Sequence, residues 1–306
     1  MSGSQHEPTR VVIIGFGRMG RLHARTLAAL ADFQVVGVVD TDPACAAQAA
    51  SMGFDFFRRL GDLTIQPRLA VVAVPSSLHA SVFQAAARRG MDCLVEKPVG
   101  VDLRELQAMS AFSERFGVRL FAGYSERFNP AMSSIIEAVR AGPCSISIRR
   151  LSTIALDRDV DSDVCHDLLA HDIDWLMCAI GFQPTLVTVH DQRFHRGRVE
   201  HVACELEFPG EIRVHLEASR ISATTERSVA VVGHLGSEEV FQLDTLRDQS
   251  GDDPLTAQAK ALAAALRRQP SHIADIRDAL NVQHLLCQLK QALSHAPESV
   301  VVLNAV

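Results

Sequence analysis

No two of the seven cysteines stand in a CxxC spacing. Their odd number and scattered positions, from Cys45 to Cys287, fit free thiols in a reducing compartment rather than a disulfide framework. HExxH is also missing. His215-Leu216-Glu217 resembles half of a zinc-deaminase motif, but no PCxxC follows it. Cys165, His166 and His171 lie close together without ligand spacing, so no metal is expected. The first ten residues are polar, and the first apolar run is only as long as a strand. Neither a signal peptide nor a membrane span is therefore expected, and the cytoplasm is the expected location. Positive charge is in deficit, with 30 Lys and Arg against 36 Asp and Glu. That balance argues against general nucleic-acid or anionic-membrane binding, although a few local arginines can still serve a phosphorylated substrate. Internal repeats, low-complexity tracts and long linkers are absent as well.

What remains is 306 residues, 47% apolar and 5% aromatic, enough for two domains with sizeable cores. The first part alternates strand and helix. Strands are expected at 11–14, 33–39, 69–74, 92–95 and 118–122, with helices at 18–30, 43–51, 78–89 and 103–116. Their continuous Val, Ile and Leu runs mark strands covered on both faces, the pattern of a doubly wound parallel sheet. Asp102 and Gly117 bracket the last of these helices as caps. After Gly123 the rhythm changes. Helices are expected at 130–141 and 166–180, then strands at 185–193, 199–208, 211–219, 228–233 and 238–242, helices at 256–268 and 272–295, and a strand at 299–303. Alternation such as Val202, Cys204, Leu206 and Phe208 predicts a largely antiparallel open sheet with one face on a core. Its other face must be solvated or covered by another subunit. The expected division is 1–122 and 123–306.

The strand Val11–Ile14 runs into Gly15-Phe16-Gly17-Arg18-Met19-Gly20 and then a helix. Gly15 permits the tight turn, Gly17 lets the backbone approach a pyrophosphate, and Gly20 lets helix and strand pack closely. The second strand ends in Asp40, placed to accept hydrogen bonds from a ribose diol and to repel a 2′-phosphate. Thr41 and Asp42 follow, with no Arg to hold such a phosphate. A dinucleotide site follows from this, with NAD favoured over NADP.

Two further strand ends reach the same sheet edge. Val74-Pro75-Ser76-Ser77-Leu78-His79 is read as lining the nicotinamide-ribose side of the cofactor; the plainer alternative is a turn with Ser77 capping the next helix. Glu96-Lys97-Pro98 ends the following strand. A long charged side chain seldom ends a buried strand, and a Lys beside a cationic nicotinamide could exchange a proton with a substrate hydroxyl. Asp167 and His171, four apart in a helical pattern, share one face. There the carboxylate can orient the imidazole as it takes a proton, or the two can be a helix-start Asp and a core His. Asp172 and Asp174 are read as facing elsewhere, Asp174 towards solvent. Gly123 to Pro130 offers Tyr124, Arg127 and Asn129 to a sugar or diphosphate, or serves as a hinge with Asn129 as a cap. Arg149, Arg150 and Arg158 are further diphosphate candidates, or a solvated strand edge.

In order, GxGxxG, an acid after the second strand, xPxxxH, EKP and DxxxHDID resemble the glucose–fructose oxidoreductase, inositol dehydrogenase and MocA family over essentially the whole chain. The resemblance implies an N-terminal Rossmann domain that binds NAD. It also implies a C-terminal α/β domain that binds substrate and builds homodimers or homotetramers. Lys97, Asp167 and His171 would form the catalytic group, with either Lys97 or His171 as proton acceptor, and a cis bond would precede Pro98. The cofactor would touch Gly15–Gly20, Asp40, Thr41, Val74, Pro75, Ser76, His79 and Glu96–Pro98. The family commonly has Thr-Pro-Asn where this chain has Val74-Pro75-Ser76, which removes one amide contact. Glu126-Arg127-Phe128-Asn129-Pro130 narrows the resemblance to the nucleotide-sugar branch, which oxidises C3 of UDP-N-acetylglucosamine. Tyr124, Arg127, Asn129 and Arg149 would then meet the substrate, and Asp163 stands where that branch usually has Gly. The alternatives are a free cyclitol or aldose as substrate, or an NAD-dependent glycoside hydrolase with transient C3 oxidation.

Overall fold

The computed structural model describes residues 7–153, 162–181, 183–243, 251–293 and 300–302. By packing, the chain forms two compact units. One holds the residues up to Tyr124 together with Leu255–Leu280, the other Ser125–Pro254 and the residues from Asn281 onward.

The first unit runs β1 (Thr9–Ile14), α1 (Arg18–Ala28), β2 (Phe33–Val39), α2 (Cys45–Ser51), β3 (Phe56–Phe57), β4 (Leu69–Val72), α3 (His79–Ala87), β5 (Asp92–Val95), α4 (Leu103–Phe116) and β6 (Leu120–Ala122). Its described strands form one sheet in the order β3-β2-β1-β4-β5-β6, every pair parallel. Val11, Val12 and Ile13, and Leu69 through Val72, are fully buried, as strands covered on both faces require. The strand order reverses between β1 and β4, and the carboxyl ends at that reversal carry the glycine turn and Val74-Pro75. Open α/β sheets bind ligands at such a switch point. Asp102 caps α4 by accepting from the Glu105 amide at 2.8 Å, and Gly117 ends it in the left-handed region. Strand β3 was not anticipated: two phenylalanines are too short a run to read.

The second unit contains α5 (Met132–Arg140), β7 (Cys144–Thr153), a π-helical turn at Cys165–Leu169, α6 (Ala170–Ile180), β8 (Leu186–His195), β9 (Arg198–Phe208), β10 (Ile212–Ser219), β11 (Ile221–Gly233) and β12 (Glu238–Gln242). After α7 (Pro254–Leu266) and α8 (Ile276–Leu293), β13 (Val300–Val302) closes the sheet in the order β12-β11-β7-β10-β9-β8-β13. Among the described residues β7 and β10 pair in parallel and the other neighbours are antiparallel. Val202, Cys204, Leu206, Val214, Leu216 and Ala218 are buried on one face. Glu205, Glu207, Arg213 and His215 occupy the alternate positions.

Helix α7 departs from the expected division. Ala259, Leu262, Ala263 and Leu266 join the core of the first unit with Leu69, Val71 and Phe121. Arg119 Nη1 donates to the Ala265 carbonyl at 2.6 Å, and Arg68 to that of Leu266 at 3.1 Å. An apolar helical stripe packs wherever a complementary face is open. Sequence order alone did not reveal that this face belonged to the first sheet. No described helix is long and apolar enough to cross a membrane.

Candidate cofactor cleft and acid–base residues

In the first unit Gly15 adopts φ +91°, and its amide donates to Val39 O at 2.8 Å, closing the turn onto β2. A Cβ on Gly15 would meet Ala73 O at 2.5 Å, and one on Gly20 would meet Gly15 O at 1.9 Å. A Cβ on Gly17 would meet nothing within 4 Å. Two glycines are thus required by packing, while the third faces open space at the amino end of α1, the place where a pyrophosphate fits. Phe16, expected to touch the cofactor, is fully buried in the core. What it contributes at the turn is its backbone: the amide donates to Asp40 Oδ2 at 2.6 Å, and the carbonyl accepts from Arg21 Nη1 at 3.0 Å. The other Asp40 oxygen accepts from the Asp42 amide at 2.9 Å. The acid therefore braces the glycine turn.

A cleft of about 460 Å³ opens here, lined by Gly15, Gly17, Asp40, Thr41, Val74 and Pro75 among others. Arg58, Arg59 and Leu60 also line it, and sequence reasoning missed them. Arg58 Nη2 donates to the Thr41 carbonyl at 2.8 Å. The lack of an Arg after Asp40 in sequence is therefore not a lack of one in space, because β3 pairs with β2 and delivers two.

His79 is buried. Its ring nitrogens stand 2.9 Å from Val74 O and 2.8 Å from Pro98 O, tying the ends of β4 and β5 together. Leu78, not Ser77, occupies the cap position of α3, and no side chain caps it. The Lys97–Pro98 peptide is cis, as the resemblance implies. Glu96 is buried, with Oε1 2.5 Å from His23 Nε2 and Oε2 accepting from the Lys97 amide at 3.2 Å. Tyr124 is buried just after β6.

In the second unit Asp167 lies in the π-helical turn and His171 at the start of α6. Single π turns recur at functional sites, and this one widens the helix at the carboxylate. Asp167 Oδ2 lies 3.3 Å from Arg220 Nη1, and Arg220 holds Glu200 bidentately at 2.7 and 2.9 Å. Burial alone would lower the Arg220 pKa, but the hydrogen bonds and charges of Glu200 and Asp167 raise it.

Beside this lies a second ionic cluster. Arg150 Nε donates to Asp172 at 2.5 Å and Arg150 Nη2 to Glu126 at 3.2 Å; Glu126 also accepts from Arg227 at 2.8 Å. Trp175 Nε1 donates to the other Asp172 oxygen at 3.1 Å. Burial by itself would raise the Glu126 carboxyl, but the charges of Arg150, His171 and Arg227 outweigh it and lower it to about 2. Asp174, expected in solvent, is buried, and Arg127 grips both its oxygens at 2.6 and 2.7 Å. Arg127, read as a diphosphate ligand, is thus committed to an internal carboxylate, and a planar fork fits that partner well. Asn129 is buried with its amide on Leu243 O at 3.0 Å and its oxygen on the Ala131 amide at 3.1 Å. Arg149 pairs with Glu217 at 3.0 Å and Glu226 at 3.1 Å on the sheet surface. Arg150 is buried rather than on a solvated edge, and Arg158 lies outside the described residues.

Residues 9–124 match the family model described as an oxidoreductase family with an NAD-binding Rossmann fold, GFO_IDH_MocA. UDP-N-acetylglucosamine 3-dehydrogenase of Acidithiobacillus ferrooxidans is 31% identical over 275 residues, which cover 84% of this chain and 86% of that protein. The chain belongs to the Gfo/Idh/MocA family. Inositol 2-dehydrogenase of Rhizobium meliloti is 27% identical over 192 residues, 58% of this chain and 57% of its own. A solved structure of the Acidithiobacillus ferrooxidans enzyme shares the fold, with a TM-score of 0.79 at 24% identity over 92% of this chain and 97% of that one.

As a Gfo/Idh/MocA protein the chain is an NAD-dependent oxidoreductase, and its glycine cradle fits that cofactor. Two departures from the family pattern have structural accounts. Ser76 opens a short 3-10 turn whose Leu78 amide donates to Pro75 O at 2.9 Å, so the turn closes through its backbone. Asp163, where the related branch has Gly, accepts from the His166 amide and stands 3.0 Å from His166 Nδ1 and 2.7 Å from Lys290 Nζ. It pins the start of the π turn, a role that cannot be read from local sequence because Lys290 is far along the chain.

Proposed function

We propose that this oxidoreductase oxidises the C3 hydroxyl of UDP-N-acetylglucosamine to the 3-keto nucleotide sugar, a precursor for amino-sugar synthesis. The observation that carries the reading is the 31% identity with a dehydrogenase of that name over 84% of the chain, a span that reaches well beyond the cofactor-binding part. The Asp167–His171 spacing and the Glu96-Lys97-Pro98 strand end support the chemistry.

NAD, held at its phosphates by the Gly15–Gly20 turn, would supply the hydride acceptor. His171 takes the hydroxyl proton, and Asp167 holds the imidazole in the orientation for doing so. Lys97 steadies the developing alkoxide charge. Asp40 would hold the ribose diol of that cofactor. Arg127 and Asn129 hold the frame of the second unit, since their polar groups already have internal partners. The polar face of the second sheet forms the contact of a homodimer or homotetramer, which light scattering would measure.

The test is incubation with NAD and UDP-N-acetylglucosamine in the presence of an aminotransferase that traps the ketone. NADH together with an amino sugar is the expected result. NADH only with unphosphorylated sugars or cyclitols would refute the nucleotide-sugar assignment, and glycosidic cleavage without NADH would mark a hydrolase. Lys97→Ala and His171→Ala should each lower kcat roughly 10²–10⁴-fold. Near-wild-type turnover in either, with NAD binding intact, would sink that residue's role.

A further inference from the structure

We propose that Arg220 is a positioning residue that fixes the carboxylate of Asp167, and through it the imidazole of His171; this rests on reading those two as the acid–base pair. Arg220 sits at the corner between β10 and β11 and is only 2% exposed. Its guanidinium is used on every side. Nε and Nη2 grip Glu200 of β9, while Nη1 donates to the Ser162 carbonyl at 2.9 Å and to Asp167 Oδ2 at 3.3 Å. The Arg220 amide in addition donates to Glu200 O at 2.9 Å, fixing the corner to its neighbouring strand.

The consequence is geometric. Ser162 lies just ahead of the π turn and Asp167 within it, so one rigid fork ties both to the sheet. A π turn interrupts the regular hydrogen-bond ladder of the α-helix, and the direction of the carboxylate it carries can be fixed from outside the helix. Glu200 supplies it, because its bidentate grip sets the plane of the guanidinium before Asp167 is engaged. Arg220 also sets a permanent cation 3.3 Å from Asp167 Oδ2. A Lys could keep the charge but could not span Glu200, Ser162 and Asp167 together.

The experiment compares Arg220→Lys and the double variant Glu200→Gln with Arg220→Gln against Asp167→Asn and His171→Ala. The double variant removes one charge of each sign, so that Glu200 is not left as a buried carboxylate beside a missing guanidinium. Each variant is crystallised without substrate, its NAD affinity and thermal midpoint are measured, and kcat and KM are read with UDP-N-acetylglucosamine. The double variant should shift the Asp167 carboxylate and lower kcat about 10²-fold, the cost of misplacing a reacting group by about 1 Å. KM and NAD affinity should stay within about threefold of wild type. Arg220→Lys should fall in between, near tenfold. An Asp167 carboxylate that keeps its place in the double variant overturns the inference whatever the substrate is. So does a kcat loss that only tracks the folded fraction, or wild-type turnover in both Arg220 variants beside inactive Asp167→Asn. If Asp167→Asn and His171→Ala themselves keep wild-type kcat, the acid–base reading has failed, and the role of Arg220 fails with it.

Discussion

Glu126→Gln should cost stability at neutral pH and cost progressively less as the solution is acidified. The carboxylate of Glu126 is held between Arg150 at 3.2 Å and Arg227 at 2.8 Å. Burial opposes the charge, but the cations win and lower its pKa from 4.5 to about 2. At about 1.4 kcal/mol per pKa unit, that preference amounts to about 3 kcal/mol of folding stability. The figure is an upper one, because the Arg227 side chain is 34% exposed and its share is screened by solvent.

The sign follows from the direction of the shift. A carboxyl whose pKa is lower in the folded than in the unfolded chain contributes fully above the unfolded value of 4.5. That contribution is lost as pH falls towards the folded value of about 2. A Gln does not titrate, so the gap between the two proteins should be widest near neutrality and should close between pH 4.5 and 2. Urea unfolding of both proteins, at neutral pH and at steps down to about pH 3, reads the gap directly. Asp163, also held below its ordinary range despite burial, weakens both proteins equally in acid and cancels from the difference. A stability gap that stays constant across that window would refute the linkage, whatever the absolute stabilities are.

The glycine turn offers a paired test. Gly20→Ala puts a methyl 1.9 Å from Gly15 O and should destabilise by about 1–3 kcal/mol. Gly17→Ala meets nothing within 4 Å and should leave stability within about 0.5 kcal/mol while weakening NAD at least tenfold by titration calorimetry. Arg127→Ala strands the fully buried Asp174 and should cost about 3–5 kcal/mol in urea unfolding, with replacement of both residues by apolar ones recovering most of it. Asp40→Asn should lower the preference for NAD over NADP in binding measurements, since it removes the repelling charge while Arg58 and Arg59 still line the cleft.

How far the chain could be read in advance depended on how local each feature is. The Rossmann strands announce themselves because burial on both faces demands unbroken apolar runs such as Val11–Ile14 and Leu69–Val72. The glycine turn and the caps of α4 are equally local. Arg58 and Arg59 were invisible because β3, which delivers them, is two residues long. The return of α7 to the first unit was hidden because an apolar stripe does not name its partner. Asp174 was misplaced because a run of charged residues is usually solvated, and only the fold brings Arg127 within 2.6 Å of it.

That misreading points to how the helix bearing His171 is held. The stretch from Asp167 to Asp174 carries three carboxylates, and each meets an arginine from a different element: Asp167 meets Arg220, Asp172 meets Arg150, and Asp174 meets Arg127. Buried ion pairs are poor sources of net stability, because the cost of desolvation nearly cancels the attraction. What three such pairs can do is fix a direction: Arg127 grips both Asp174 oxygens, while Arg150 and Arg220 each hold one oxygen of Asp172 and Asp167. Apolar packing alone would allow this segment to roll by a fraction of a turn at small cost. Three arginines anchored at the β10–β11 corner, on β7 and in the segment after β6 oppose such a roll from three sides. If His171 takes the proton, as proposed above, the acidic residues around it need not meet the substrate to matter for turnover: they would set the angle at which the imidazole is presented.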